Sequence, residues 1–127
     1  MKLRYLHPEF VEFIPDVLET GVLYISTPYA TASHLCACGC GQKVVTPIRP
    51  TDWTMIWDGE SVELYPSIGN WNLPCRSHYW IRSGGRIEWA GDWSDTMVAK
   101  ARAKGRAEKS RFFAKRKRHM GSKRHSP

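Results

Sequence analysis

The sequence predicts a mainly β fold of the α+β class: a small, metal-stapled antiparallel sheet of hairpins followed by one basic C-terminal helix. Three observations predict it. Short runs rich in β-branched and aromatic residues recur through the first 93 residues, punctuated by Gly and Pro. Four cysteines fall in two groups, Cys36, Cys38 and Cys40 in HLCACGCG and Cys75 in PCRSHYW. The charge is divided, because residues 1–97 hold 7 Lys and Arg against 11 Asp and Glu, whereas residues 98–127 hold 12 against 1. The chain is read as a β-rich domain over residues 1–93 and a basic helical tail over residues 94–127, partly disordered after about residue 118.

Each element has a local reason. VEFI, residues 11–14, stops at Pro15, and GVLYIS, residues 21–26, has the composition of a strand. KVVTPI, residues 43–48, leaves the cysteine turn and closes at a proline. DWTMIW and SVELY alternate on either side of Asp58-Gly59, a hairpin signal. YWIR and RIEWA flank Gly84-Gly85 in the same way, with the loop SIGNWNLPC between the two hairpins. Ser94 is placed to cap a helix from about Asp95 to about Arg118, with Gly105 its weak point. All six tryptophans lie between Trp53 and Trp93, and most are expected in the core of so small a body. No apolar run approaches the roughly 20 residues that cross a bilayer, so a soluble protein is expected.

The cysteines point to a metal. Zn²⁺ takes thiolate and imidazole ligands in a closed tetrahedron when its role is structural, and such ligands come in two local groups. Gly39 and Gly41 let the backbone turn sharply enough to bring several thiolates inward. The competing reading is two disulfides, but no hydrophobic leader precedes the chain and a reducing, cytoplasmic setting is expected. The zinc ligands are then Cys36, Cys38, Cys40 and Cys75, with His78 replacing one of them if a cysteine is spare. His34, two residues before Cys36, ranks last as a donor.

Ser67 and His78 form a second pattern. Ser67 ends the SVELYP arm and His78 starts the HYWIR arm, so antiparallel pairing across the loop would bring them face to face. Serine within reach of histidine is the minimal nucleophile and base. Gly69 and Asn70 follow, and their amides could serve a developing oxyanion. Asp52 or Asp58 could orient the imidazole, and spacing fixes neither. The plainer alternatives are a turn serine and a zinc-ligand histidine. Ser77 would turn away from His78, since neighbours on a strand face opposite ways.

HLCACGCG, TPIRPTDWTMIWDGESVELYPSIGNWNLPCRSHYWI and RIEWA, taken in that order, resemble a small cysteine-rich domain family found with bacterial genes for ubiquitin-like proteins and their conjugation enzymes. The resemblance covers roughly residues 31–90 and leaves the tail out. It implies a serine-type peptidase that matures or deconjugates a ubiquitin-like protein, with Ser67, His78 and Asp52 as the polar positions carried over and zinc as a structural staple. A groove lined by Trp71, Tyr79 and Trp80 would hold the extended tail of such a partner at a sheet edge.

The rival from another class is a non-catalytic zinc module that binds nucleic acid or acts as an adaptor. Arg102, Arg106, Lys109, Arg111, Lys115, Arg116, Lys117 and Arg118 would then meet phosphates. The acidic body argues against it. A catalytic zinc is disfavoured because HExxH is absent and a thiolate-rich set closes the coordination sphere.

Overall fold

A computed structural model of the chain describes residues 2–124, with side chains described up to residue 116. Of the stretch expected to be partly disordered beyond about residue 118, residues 119–124 have helical backbone and residues 125–127 lie outside the described residues. The chain divides into two compact units, Met1–Asp92 and Trp93–Pro127.

The first unit holds eight strands in two four-stranded sheets. The first sheet has the spatial order β1 (His7–Phe10), β2 (Val22–Ser26), β3 (Thr31–Leu35) and β4 (Lys43–Pro47). The second is a meander of β5 (Thr54–Trp57), β6 (Val62–Gly69), β7 (His78–Arg82) and β8 (Arg86–Trp89). Both expected hairpins are present, and β2 and β4 stand where their composition puts them. Among the described residues only β1 and β2 run parallel.

The first strand is His7–Phe10 in place of the expected 11–14. Pro8 hides it from a composition reading, yet a proline is tolerated on an edge strand, where one missing amide costs little. The Val11 amide still reaches the Ile25 carbonyl at 2.8 Å, after which the chain turns off. β3, sequence TASHL, lacks any strand signature but is central, and Ala32, Ser33 and His34 are all buried.

One apolar core joins the two sheets. Leu23, Ile25, Ala32 and Val44 from the first meet Val62, Leu64, Ile68, Tyr79, Ile81 and Ile87 from the second. The N-terminal segment stitches them together. Leu3 N–H donates to Ala37 O, Leu6 N–H to Gly85 O and Ile87 N–H to Arg4 O, each within 2.8 Å. The core is aliphatic, contrary to the expected tryptophan core. No tryptophan is among the fully buried side chains, and Trp53 and Trp89 only pack against the cluster. Strand alternation explains this for Trp80, which shares β7 with buried Tyr79 and Ile81 but has the opposite phase.

The second unit contains α1 (Asp95–Arg124). Ser94 caps it, its Oγ accepting the amide of Met97, the third helical residue, at 3.2 Å as an N-cap serine does. Lys100, Arg102, Lys104, Arg106, Lys109 and Arg111 recur at intervals of two or three residues, which spreads cations around the helix and leaves no apolar stripe.

Candidate active site and metal centre

β6 and β7 carry Ser67 and His78, and the loop between them supplies Cys75. In their ladder Gly69 stands opposite His78 and Ile68 opposite Tyr79, with a register shift between Leu64 and Ile68. Pro66 falls within that irregular stretch, where its missing amide breaks no regular ladder bond. Ile68 and Tyr79 point into the core, so Ser67 and Gly69 share the other face with His78. Ser67 is thus diagonal to His78, one alternate position away from direct opposition. Its Oγ lies 2.9 Å from His78 Nε2.

The other ring nitrogen fixes the tautomer. His78 Nδ1 is 2.9 Å from the Gly91 carbonyl, just beyond β8. A carbonyl only accepts, so Nδ1 carries the proton, and neutral His78 presents its lone pair at Nε2. Ser67 O–H then donates to it. That is the arrangement in which an imidazole can take the proton of an attacking hydroxyl. The ring is nearly buried, at 7% exposure, and Ser67 is half-buried.

Trp71 packs edge-on against the His78 ring, with centroids 5.0 Å apart. Gly69 makes this possible, because a Cβ there would overlap the Trp71 indole. The Arg76 guanidinium stacks over Trp71 at 5.3 Å and lies 3.8 Å from Asp92.

The four cysteines converge from two loops, Cys36, Cys38 and Cys40 between β3 and β4 and Cys75 between β6 and β7. The sulfurs of Cys36, Cys38, Cys40 and Cys75 all lie within 4.8 Å of one another. Cys36 is 3.4 Å from Cys38 and 3.9 Å from Cys75, and Cys40 is 3.9 Å from Cys75. A tetrahedron with Zn–S bonds of about 2.3 Å has edges of about 3.8 Å, so the donor set fits a four-thiolate ion. Positive φ at Gly39 (91°) and Gly41 (80°) closes the turn that gathers the first three. None of the cysteines is in a disulfide. His78 is outside this donor set, since both of its nitrogens have other partners.

Asn70 ties the two sites together and is not placed as an oxyanion donor. Its amide N–H donates to Ser77 O at 2.8 Å. Its Nδ2 donates to Ser77 Oγ at 2.9 Å and faces Cys36 Sγ at 3.7 Å. Ser77 Oγ sits 3.0 Å from Cys36 Sγ, turned away from His78 as strand alternation requires. Hydrogen bonds of this kind orient thiolate ligands. No sequence signal marked Asn70 for this role.

The expected carboxylate is replaced by a main-chain acceptor. Asp52 lies in the turn before β5, its amide donating to Arg49 O at 3.0 Å. Asp58 closes the β5–β6 turn, where it accepts the Glu60 and Ser61 amides at 2.9 and 2.7 Å. Those amides hold its carboxyl below the usual carboxylate range. The imidazole position proposed for either residue is taken by Gly91 O. A backbone carbonyl has no residue-type signature, so sequence reasoning could not find it.

Tyr79 and His34 belong to the core. Tyr79 is fully buried, which removes it from the expected groove, and its hydroxyl is 2.6 Å from His34 Nε2. Burial lowers His34 to about 4. Among the described residues no helix is long and apolar enough to cross a membrane.

No curated protein and no solved structure matches the chain significantly. Residues 10–90, more than half of the chain and inclusive of Ser67, His78 and all four cysteines, match the model of one family. The chain belongs to the bacterial ubiquitination-like system serine protease family (BubE).

Proposed function

We propose that Ser67 is the nucleophile and His78 the general base of a peptidase that cleaves at the C-terminus of a bacterial ubiquitin-like protein, maturing its precursor or releasing it from conjugates. The carrying observation is the Ser67 Oγ to His78 Nε2 distance of 2.9 Å with Nδ1 held by Gly91 O. Ser67 Oγ attacks the carbonyl carbon while His78 Nε2 takes its proton. The proton then passes to the departing amine as the acyl–nitrogen bond breaks. Water repeats the sequence on the acyl-enzyme, with His78 again as base. A backbone amide beside Ser67 is the proposed oxyanion donor, the Gly69 amide being turned to the sheet edge, and Trp71 shields the imidazole from solvent.

The four cysteines hold Zn²⁺ in this reading, and its contribution is structural. Four thiolates leave no position for a reacting water. The ion pins the loop between Gly69 and His78 through Cys75, which fixes the spacing of nucleophile and base. Reduced thiolates suit a cytoplasmic setting.

The test is cleavage of a ubiquitin-like protein fused through its C-terminus to a reporter. Wild-type protein should release the reporter and Ser67→Ala should not. Cleavage that persists in Ser67→Ala, or none by folded wild-type protein, would remove the assignment.

A second role is proposed for α1. Its cations are spread around the helix without an apolar stripe, which suits a polyanion such as nucleic acid as a tether. Binding to duplex DNA should weaken steeply with salt, and a flat dependence contradicts the tether.

A further inference from the structure

The second sheet has an open edge beside Ser67. β5 pairs with β6 only from Thr54–Tyr65 to Trp57–Val62, yet β6 continues to Gly69. Before Thr54 the chain departs toward the first sheet, with the Trp53 amide donating to Pro47 O at 3.2 Å. Pro66–Gly69 therefore have β7 on one side and, among the described residues, no strand on the other. The Trp53 indole N–H closes the near end of this lane by donating to Pro66 O at 3.1 Å.

The phase of the ladder shows where main-chain groups point. Asn70 N–H donates to Ser77 O, which makes Asn70 and Ser77 a hydrogen-bonded pair. Such pairs alternate in an antiparallel ladder, so Gly69 and His78 are a non-hydrogen-bonded pair. The N–H and C=O of Gly69 then point away from β7, into the vacant lane. Gly69 is exposed.

We propose that this edge docks the substrate as an added strand, an extended peptide segment in line with β5 whose main chain bonds to Gly69 while its scissile carbonyl sits at Ser67. The inference rests on Ser67 and His78 acting as nucleophile and base. At about 3.3 Å per residue, the substrate residue paired with Gly69 lies roughly 7 Å from the scissile group. Recognition is then by main chain. The site takes a tail or loop that can be drawn out straight and rejects a segment whose amides are already used in a helix or hairpin. Tyr65 and Trp80, with ring centroids 5.8 Å apart, are near neighbours on these two strands. They offer an apolar ledge for a substrate side chain.

The experiment uses full-length, metal-loaded protein and a series of hexapeptidyl nitrophenyl esters, each N-methylated at one backbone amide. Fluorophosphonate labelling of Ser67 is run on the same preparation. Strand addition predicts a period of two: kcat/KM falls about 10-fold or more at one position and at every second position from it, and less than about 3-fold at those between. A flat profile, or no turnover of any ester by protein that labels at Ser67, overturns the docking edge and leaves the nucleophile standing. Absence of labelling overturns both.

Discussion

His34 and His78 each bond a hydroxyl, lie within one small unit and answer to opposite needs. His34 Nε2 meets Tyr79 OH at 2.6 Å inside the core, and its Nδ1 has no hydrogen-bond partner. Tyr79 OH also receives the Ala37 amide at 3.4 Å. His78 Nε2 meets Ser67 Oγ at 2.9 Å, and its Nδ1 is held by Gly91 O. The two hydroxyls explain the difference. A fully buried phenol whose ionisation burial opposes has no route to a substrate, whereas a half-buried serine beside an open sheet edge has one. A histidine becomes a base through what it bonds and what can reach that partner.

The largest effect should come from the sulfur cluster. Cys75→Ser removes one thiolate from the set proposed to pin the loop between Gly69 and His78. Structural zinc binding in finger peptides amounts to about 10–16 kcal/mol, comparable with or above the net stability of a small domain. The variant should lose metal and its cooperative thermal transition, read by metal analysis and calorimetry. A folded, active, metal-free variant would remove the staple from the account.

His78→Gln should be severe in a different quantity. Activity should fall about 10³-fold or more while metal content stays at wild-type level and stability changes by about 1 kcal/mol. Loss of metal instead would make His78 a ligand and reverse its role. His34→Gln should show the converse. Disturbing the buried Tyr79 hydroxyl should cost about 1–3 kcal/mol in denaturant unfolding, with the rate per folded molecule unchanged. A loss of rate at full stability would break the contrast between the two histidines.

The smallest effect is expected at Trp71. Trp71→Ala uncovers one face of the His78 ring and should lower kcat about 10-fold with metal content unaffected, read by steady-state kinetics. A change confined to KM would make Trp71 a substrate contact alone.

Much of this arrangement was legible in the chain. The Asp58-Gly59 and Gly84-Gly85 hairpins follow from local turn chemistry, and the Ser67–His78 juxtaposition follows from joining two arms across one loop. The four-sulfur set was legible from residue type, because few other uses explain CxCxC with a distant cysteine. What escaped depends on distant partners or on groups without a side-chain identity. β3 is polar in composition and becomes a strand because β2 and β4 flank it. β1 contains a proline that only its edge position permits. The division of the strands into two sheets rests on long-range pairing that periodicity does not encode. Gly91 acts through its carbonyl, which every residue possesses, so a search for carboxylates led to Asp52 and Asp58. Proximity in sequence suggests Asn70 for the oxyanion, but its Nδ2 bonds Ser77 Oγ on the sulfur side of β7.

The proposed reactivity of the Ser67–His78 pair is distinct from the metal set. Its most direct test is the labelling rate with a fluorophosphonate, with the adduct located by mass spectrometry, in wild-type and His78→Gln proteins of equal metal content. The account predicts an adduct on Ser67 in the wild type and a rate at least about 100-fold lower in the variant. No adduct on Ser67 in folded, metal-loaded wild-type protein, or equal rates in the two proteins, would contradict it.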